Sequence, residues 1–356
     1  MKKAKVWKWI AATGTSLLFL FTFIFSIGAG ILPSSDKESA SSEPIVAEAA
    51  SNFVTRPAGA TFGQFIDGYS YVYTDKTKIA SMRNGSAVED FSSTKVNITA
   101  THGTADNPYV IEDATDWENF AKFAKNGYAN TTGKVFVLAN DIDFTGVTFR
   151  FIPCFGGSFF GQGRTLSNIK ATTWQYWTGS AWAGFATMNA INYAGFGLFG
   201  YTNNAAITDV ILENFAYSGM PSIAGIDSAK TWGDYLGGIV GVTGNATNIL
   251  NCHVQGSITG GKFTMHTWNG GLVGIQWGTN GMIYRSSADV VLNISTSLNP
   301  HASSLIGDVY TNGSVSIYDC VGNSTYTIGA STETQLGGVI GYDRPGSTVI
   351  VENVIT

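Results

Sequence analysis

The sequence predicts a mainly β fold in which short repeats stack into a solenoid. A motif made of a small residue, two apolar residues and a glycine occurs five times along the chain. Its copies start at Gly197, Gly238, Gly271, Ser304 and Gly338. The first interval is longer, which indicates an insertion, whereas the other three are nearly equal. A fixed period of this kind is typical of repeat architectures, in which each unit packs against its neighbours.

Composition supports the same fold class. Only 13% of the residues are charged, whereas 43 of the 356 residues are glycine. This profile favours short strands joined by tight turns. The formal net charge of −5 is not accompanied by a basic face, which argues against a nucleic-acid partner. The three cysteines are an odd number and form no CxxC pair, which argues against a disulfide framework.

Two further strand candidates each recur every 34 residues, close to the interval between copies of the motif. The first lies at 249–252, 283–286 and 317–320, and the second at 257–259, 291–293 and 325–327. Equal intervals for separate strands predict that each repeat forms one coil, with equivalent residues stacked about 4.8 Å apart.

Alternation along these strands predicts which side chains face inward. The two expected inward ladders are Ile258, Leu292 and Tyr326, and the smaller side chains of Cys252, Ser286 and Cys320. The two cysteines are two coils apart, about 9.6 Å, which is beyond disulfide reach. The motif glycines should also stack, where they permit a bend or a close backbone approach. These structural glycines are Gly200, Gly241, Gly274, Gly307 and Gly341.

The N-terminal residues predict export. Residues 1–31 combine four early lysines with an apolar run over 16–27, as in a secretory signal peptide. The alternative is that residues 9–31 are retained as a membrane anchor. Residues 32–50, rich in serine, predict a disordered spacer, and residues 51–108 predict a β-rich region without an assigned role.

Residues 109–171 predict an N-terminal cap and a first coil, and residues 172–356 hold the repeats. The cap contains a strand at 109–111 and the one predicted helix, at 113–126, with Trp117, Phe120 and Phe123 on one face. The chain ends inside the fifth coil, where no capping unit is predicted. We therefore expect a truncated product or an end covered by a partner.

Several features in a fixed order resemble bacterial surface proteins that carry GLUG-motif repeats. They are NPYVI at 107–111, the predicted helix, NDID at 140–143, FGQGRTL at 160–166 and the repeats of the GLVG type. The family usually has FDGNG where this chain has FGQG, which removes a carboxylate but keeps the turn glycines. The resemblance covers about residues 105–356 and implies a right-handed parallel β-helix.

The sequence shows no identifiable catalytic constellation, metal site or cofactor site. The four histidines are scattered, and no HExxH, Ser/His/Asp or Cys/His motif is present. NDID at 140–143 predicts a turn rather than a calcium site. One outward ladder carries charge, and its members are Asn251, Arg285, Asp319 and Glu352. We expect it to solvate the surface; the alternative is an acid–base pair acting on a polysaccharide.

Aromatic residues are dense in the insertions that precede the glycine motifs, and all these insertions should emerge at one corner of the coils. The candidate ligand-binding residues are Trp174, Tyr176, Trp177, Trp182, Trp232, Tyr235 and Trp268. Rings exposed in a row can stack on sugar rings or anchor a protein partner. The alternative is that these loops fold on one another and cover a coil edge.

Together these observations predict an exported repeat protein, secreted or at the cell surface, that acts as a non-catalytic scaffold or adhesion module. Its expected partners are glycans or host-cell or cell-surface proteins, with membrane contact only through the N-terminal segment. One alternative is a polysaccharide-degrading β-helix enzyme, a lyase or a glycoside hydrolase, which clustered carboxylates would favour. The other alternative is a truncated accessory segment of a larger surface enzyme.

Overall fold

The computed structural model describes residues 103–104, 108–125, 127–184, 194–219, 234–260, 266–294, 299–329 and 333–356. The predictions for residues 1–31 and 32–50, for most of 51–108 and for Trp232 therefore lie outside the described residues. Within the described ranges, no helix is long and apolar enough to cross a membrane.

The described residues are mainly β and contain one α-helix, α1 (Ala114–Ala124). The strands are β1 (Tyr109–Ile111), β2 (Val135–Leu138), β3 (Ile142–Asp143), β4 (Ile152–Phe155), β5 (Ser158–Ser167), β6 (Lys170–Ala171), β7 (Gln175–Trp177), β8 (Trp182–Gly184), β9 (Ala194–Phe196), β10 (Phe199–Thr202), β11 (Ala206–Ser218), β12 (Asp234–Gly237), β13 (Val240–Thr243), β14 (Asn248–Leu250), β15 (His253–Thr259), β16 (His266–Gly270), β17 (Val273–Gln276), β18 (Gly281–Tyr284), β19 (Ser287–Ile294), β20 (Asn299–Ser303), β21 (Ile306–Val309), β22 (Ser314–Tyr318), β23 (Val321–Gly322), β24 (Thr325–Ile328), β25 (Gln335–Gly337), β26 (Ile340–Asp343) and β27 (Thr348–Glu352).

Most strands belong to three sheets with parallel pairing. Sheet A has 14 strands, and its main path runs β1-β2-β5-β11-β14-β18-β22-β27. Sheet B has the order β4-β10-β13-β17-β21-β26, and sheet C has the order β9-β12-β16-β20-β25. Strands β7 and β8 form a separate antiparallel hairpin. Neighbours within sheets B and C come from successive repeats, so the parallel pairing follows the period of the sequence.

The pairing register reproduces the sequence intervals. In sheet B, Phe199 pairs with Val240, Val240 with Val273, Val273 with Ile306 and Ile306 with Ile340. Each of these residues occupies the same place in its own copy of the motif, so the paired positions repeat the spacing of the five copies. The longer first separation shows that the insertion in the first repeat is accommodated outside the paired strands.

The predicted inward ladders are confirmed. Ile258 pairs with Leu292, which pairs with Tyr326, and the first two side chains are fully buried. Ser287 N donates to Cys252 O and Val321 N donates to Ser286 O, which sets Cys252, Ser286 and Cys320 on successive coils. All three cysteines of the chain are buried and free.

Helix α1 covers the apolar interior beside the first strands. Asp113 caps its N-terminus by accepting a hydrogen bond from Asp116 N at 2.9 Å. The predicted face is buried, with the Phe120 ring stacked 4.3 Å from Phe136 and the Trp117 ring edge-on to Phe159 at 5.9 Å. The helix prediction is therefore confirmed, with ends shifted inward by one or two residues.

The repeat glycines lie where sheets B and C come closest. A Cβ added to Gly274 would lie 2.6 Å from Gly241 O and 2.7 Å from Leu236 N. A Cβ on Gly307 would lie 2.6 Å from Gly274 O and 2.8 Å from Asn269 N. Each glycine thus contacts backbone atoms of the preceding coil in both sheets, so close approach rather than a special φ explains the motif.

We expect Gly274→Ala to lower the free energy of unfolding by about 1–3 kcal/mol, because the methyl group forces backbone shifts in two sheets. Urea unfolding of the variant and the parent measures this change. Gly184→Ala is the matched control, since an added Cβ there meets nothing within 4 Å. Equal losses for the two variants would contradict the role assigned to the motif glycine.

We expect the three cysteine thiols to be unreactive towards alkylating reagents in the folded chain. Burial raises the pKa of Cys154, Cys252 and Cys320 to about 12, so little reactive thiolate forms at mildly alkaline pH. We expect iodoacetamide to modify none of them in the native chain and all of them in denaturing urea. Mass spectrometry counts the adducts, and rapid native modification would show that the inward ladder is accessible to solvent.

Candidate functional site

The predicted aromatic corner is largely covered by the protein itself. Trp174, Tyr176, Tyr235 and Trp268 are 3%, 7%, 1% and 1% exposed. Tyr235 and Trp268 are register partners in sheet C and stack at 4.6 Å, while the Trp174 indole donates to Ser218 O at 2.7 Å. For these four residues the structure supports the alternative in which the aromatic rings fold against the protein, because all four belong to hydrophobic clusters.

Trp177 and Trp182 are the two predicted ligand-binding residues that remain half-buried. They face each other across the β7–β8 hairpin at 5.4 Å, edge to face. Arg150 lies 4.3 Å from the Trp182 ring centroid, and Lys122 lies 5.6 Å from that of Trp177. Cations of the same chain therefore already contact both rings.

A second apolar cluster, here called the corner cluster, lies apart from the main core and joins sheets B and C. Its buried members are Cys154, Tyr201, Tyr235, Val242, Trp268 and Ile275. Tyr128, Trp277 and Tyr310 are partly buried and pack against it. Burial raises the pKa of Cys154, which excludes it as an accessible nucleophile.

A charged network adjoins the corner cluster. Asp308 is fully buried, and Arg344 donates to its two oxygens through Nε at 3.0 and 3.1 Å and through Nη2 at 3.0 Å. His301, 2% exposed, places Nδ1 2.6 Å from Asp308 Oδ2 and also 2.6 Å from Trp268 Nε1. This one nitrogen donates to the carboxylate or accepts from the indole, and it does not do both at once.

The network fixes the position of Arg344 above a pair of rings. Trp277 and Tyr310 stack at 3.9 Å with their planes 9° apart, and the Arg344 guanidinium lies 4.7 Å from the Tyr310 centroid. These three residues, here called the aromatic column, occupy equivalent positions because Gln276, Val309 and Asp343 are register partners. All three are half-buried.

The other end of the aromatic column adjoins a glycine. Thr243 pairs with Gln276, so the position equivalent to Trp277 in the preceding coil is Gly244. The series of equivalent side chains is therefore interrupted at Gly244. The members of the column, at 277, 310 and 344, recur at the same spacing as the repeats, which is the signal for them in the sequence.

The charged outward ladder is a row of turn residues. Glu352 pairs with Tyr318, so Asn353 and not Glu352 is equivalent to Asp319, which corrects the predicted membership. Positive φ angles between 47° and 55° recur at Asn251, Arg285, Asp319 and Asn353. Asparagine and aspartate favour this conformation, and Asn353 donates to Asp319 at 2.6 Å. This geometry fits a stacked turn rather than an acid–base pair.

The segment at 140–143 ends in strand β3, which pairs with β5, so the predicted turn is corrected: the turn follows the segment, at Thr145 and Gly146. Asp143 accepts hydrogen bonds from Asn168 Nδ2 at 2.8 Å, from Thr145 Oγ1 at 2.7 Å and from Thr145 N at 2.9 Å. These hydrogen bonds lower the pKa of Asp143, and the bond from Asn168 has the largest effect. Across the described ranges, no three histidine, cysteine, aspartate or glutamate side chains are grouped to hold a metal ion.

No family model matches this chain, and no curated protein matches it. Among solved structures, it is similar to a crystal structure of a Bacteroides ovatus protein described as a candidate immunoglobulin A1 protease. That similarity has 14% identity and a TM-score of 0.39, and it covers 70% of this chain and 79% of the other. A match at this level supports no inference about activity.

We expect Asp308→Ala to destabilise the fold by about 3–5 kcal/mol, because it leaves the Arg344 guanidinium and His301 without their buried partner. Chemical denaturation followed by tryptophan fluorescence measures the loss. The exposed carboxylate Glu352 provides the control, and Glu352→Ala should change stability by no more than about 0.5 kcal/mol. A neutral Asp308→Ala would show that the network does not hold the corner together.

Proposed function

We propose that this chain is an exported cell-surface repeat protein that binds glycans on a parallel β-helix scaffold. The scaffold part of the proposal is supported by three parallel sheets whose neighbouring strands come from successive repeats. The right-handed form and the surface location follow from the resemblance to GLUG-repeat proteins and from the N-terminal export pattern. In this proposal the coils give a rigid frame, and ligand contacts come from side chains that stack along it.

The aromatic column is the main structural support for the proposal of glycan binding. It is half-buried, its rings are parallel, and the buried Asp308 network fixes the cation at one end. A rigid aromatic face provides apolar contact area at low entropic cost. In this proposal the sugar ring contacts the exposed parts of Trp277 and Tyr310, which are both half-buried.

The column is a binding surface rather than a catalytic one. Its nearest carboxylate, Asp308, is fully buried and bonded to Arg344 and His301, so it is not accessible as a general acid or base. The Arg344 guanidinium and the Trp277 indole N–H can donate hydrogen bonds to hydroxyl groups, and the Tyr310 hydroxyl can donate or accept them. These groups fit a polyhydroxylated ligand that is neutral or weakly acidic.

We expect Trp277→Ala to abolish binding on a panel of cell-wall and host glycans, because it removes one of the two stacked rings of the column. Glycan arrays followed by calorimetry measure binding by the exported chain. Trp182→Ala is the matched control, since Trp182 is also a half-buried tryptophan but lies in the β7–β8 hairpin.

Two results would contradict this proposal. One is the absence of binding by the folded parent chain across the panel, which would leave a structural scaffold as the better account. The other is equal loss of binding in Trp277→Ala and Trp182→Ala, which would place recognition outside the column. Thermal unfolding of each variant establishes that both are folded.

A further inference from the structure

A small cavity opens on the outward face of sheet A, in strands that the aromatic column does not use. Its volume is about 200 Å³, and strands β11, β15 and β19 contribute most of its lining. The polar residues that line it are Glu213, Gln255, Asp289, Asn323, His253 and Ser287. Glu213, Gln255 and Asp289 are register partners, so one row of polar side chains crosses three coils.

A hydrogen-bonded chain of side chains ends in this cavity. His253 Nδ1 lies 2.8 Å from Ser287 Oγ, and His253 Nε2 lies 3.2 Å from Asn251 Oδ1. Asn251 Nδ2 in turn donates to Asp209 Oδ1 at 2.6 Å. His253 is 6% exposed and Asp209 is 6% exposed, whereas Ser287 is half-buried at the cavity wall.

The chain fixes the tautomer of the imidazole. A carboxylate only accepts, so the Asn251 amide nitrogen faces Asp209 and its oxygen faces His253. The Asn251 oxygen also only accepts, so Nε2 carries the proton of the neutral ring. Nδ1 then has a lone pair directed at Ser287, whose hydroxyl donates to it. This is the arrangement of a nucleophile, a general base and a third group that orients the base.

We propose that Ser287 is an activated nucleophile and that this cavity hydrolyses short-chain esters. Ser287 Oγ attacks the ester carbonyl carbon while its proton moves to His253 Nδ1. The bond from that carbon to the alcohol oxygen breaks, and the alcohol leaves with the proton from His253. Water then attacks the acyl-serine, passes a proton to His253, and releases the carboxylic acid as the proton returns to Ser287.

The lining defines the class of ester. The cavity of about 200 Å³ is below the roughly 300–1,000 Å³ of sites for drug-sized ligands and has room for a small acyl group such as acetyl. The exposed carboxylates of Glu213 and Asp289 repel anions, so the alcohol part is neutral or cationic. Gln255 lines the cavity two residues after His253 on the same strand face, so in this proposal its amide N–H is the donor to the oxyanion.

His253 and Ser287 come from adjacent coils, where they are register partners. A bond between paired residues also stiffens the sheet, so the test must separate reactivity from structure. The proposal is independent of the aromatic column, because its residues and its measurement are different.

The test treats the full chain with a fluorophosphonate probe and maps the modified residue by mass spectrometry. We expect Ser287 to be modified, and His253→Ala to slow that modification by about 100-fold, as loss of a general base does. Release of p-nitrophenol from p-nitrophenyl acetate should fall to the uncatalysed rate in Ser287→Ala. Ser257→Ala, a half-buried serine on β15, should leave both rates unchanged.

Asn251→Gly tests the positioning residue, because glycine tolerates the φ of 51° at that position. We expect kcat for p-nitrophenyl acetate to fall by between about tenfold and 10⁴-fold with KM unchanged, because loss of base orientation in a serine triad lowers kcat by up to about 10⁴-fold. Failure of the probe to modify Ser287 in the folded parent chain would overturn the proposal without any variant. Equal modification rates in the parent and in His253→Ala would also overturn it and leave a structural Ser–His bond.

Discussion

The close approach of sheets B and C at one glycine per coil is the constraint on which the rest of the structure depends. At Gly274 and Gly307, a side chain would overlap backbone atoms of both sheets in the preceding coil. The two sheets therefore meet without side chains between them at that point, and apolar side chains fill the space on either side. Leu236 and Val240 enter the main core, whereas Tyr235 and Val242 enter the corner cluster.

Because equivalent positions of successive repeats stack on one another, residues one repeat apart in sequence are neighbours in space. Trp277 and Tyr310 contact each other face to face, as His253 and Ser287 contact each other through a hydrogen bond, and both pairs are separated by one repeat. A site in this architecture is a column of equivalent positions, so its chemistry depends on which residue each coil places there. The same geometry explains why one chain can carry an aromatic column on one corner and a polar cavity on another face.

The period and the inward ladders could be predicted because they follow from repetition and alternation along the sequence, and the helix could be predicted from its local apolar pattern. The aromatic corner could not, since alternation shows that Tyr235 and Trp268 point away from the main core but not that a second cluster covers them. The outward ladder contains Asn353 rather than the predicted Glu352. The preference of asparagine for a positive φ is the sequence signal that favours Asn353 at this position. Ser287 and His253 could be matched through the period of the repeats, but only the register shows that their side chains share a face.

The stacking of each repeat on the next depends on the pairing register between coils, and a pair of engineered cysteines can measure that register. Val291 and Thr325 are exposed register partners, so their Cα atoms lie within the range that a disulfide spans. Val291→Cys with Thr325→Cys should form a disulfide under mild oxidation. Val291→Cys with Thr327→Cys should not, because these positions are about 8 Å apart. A disulfide in the second pair and none in the first would contradict the stacking of each repeat on the next in this register.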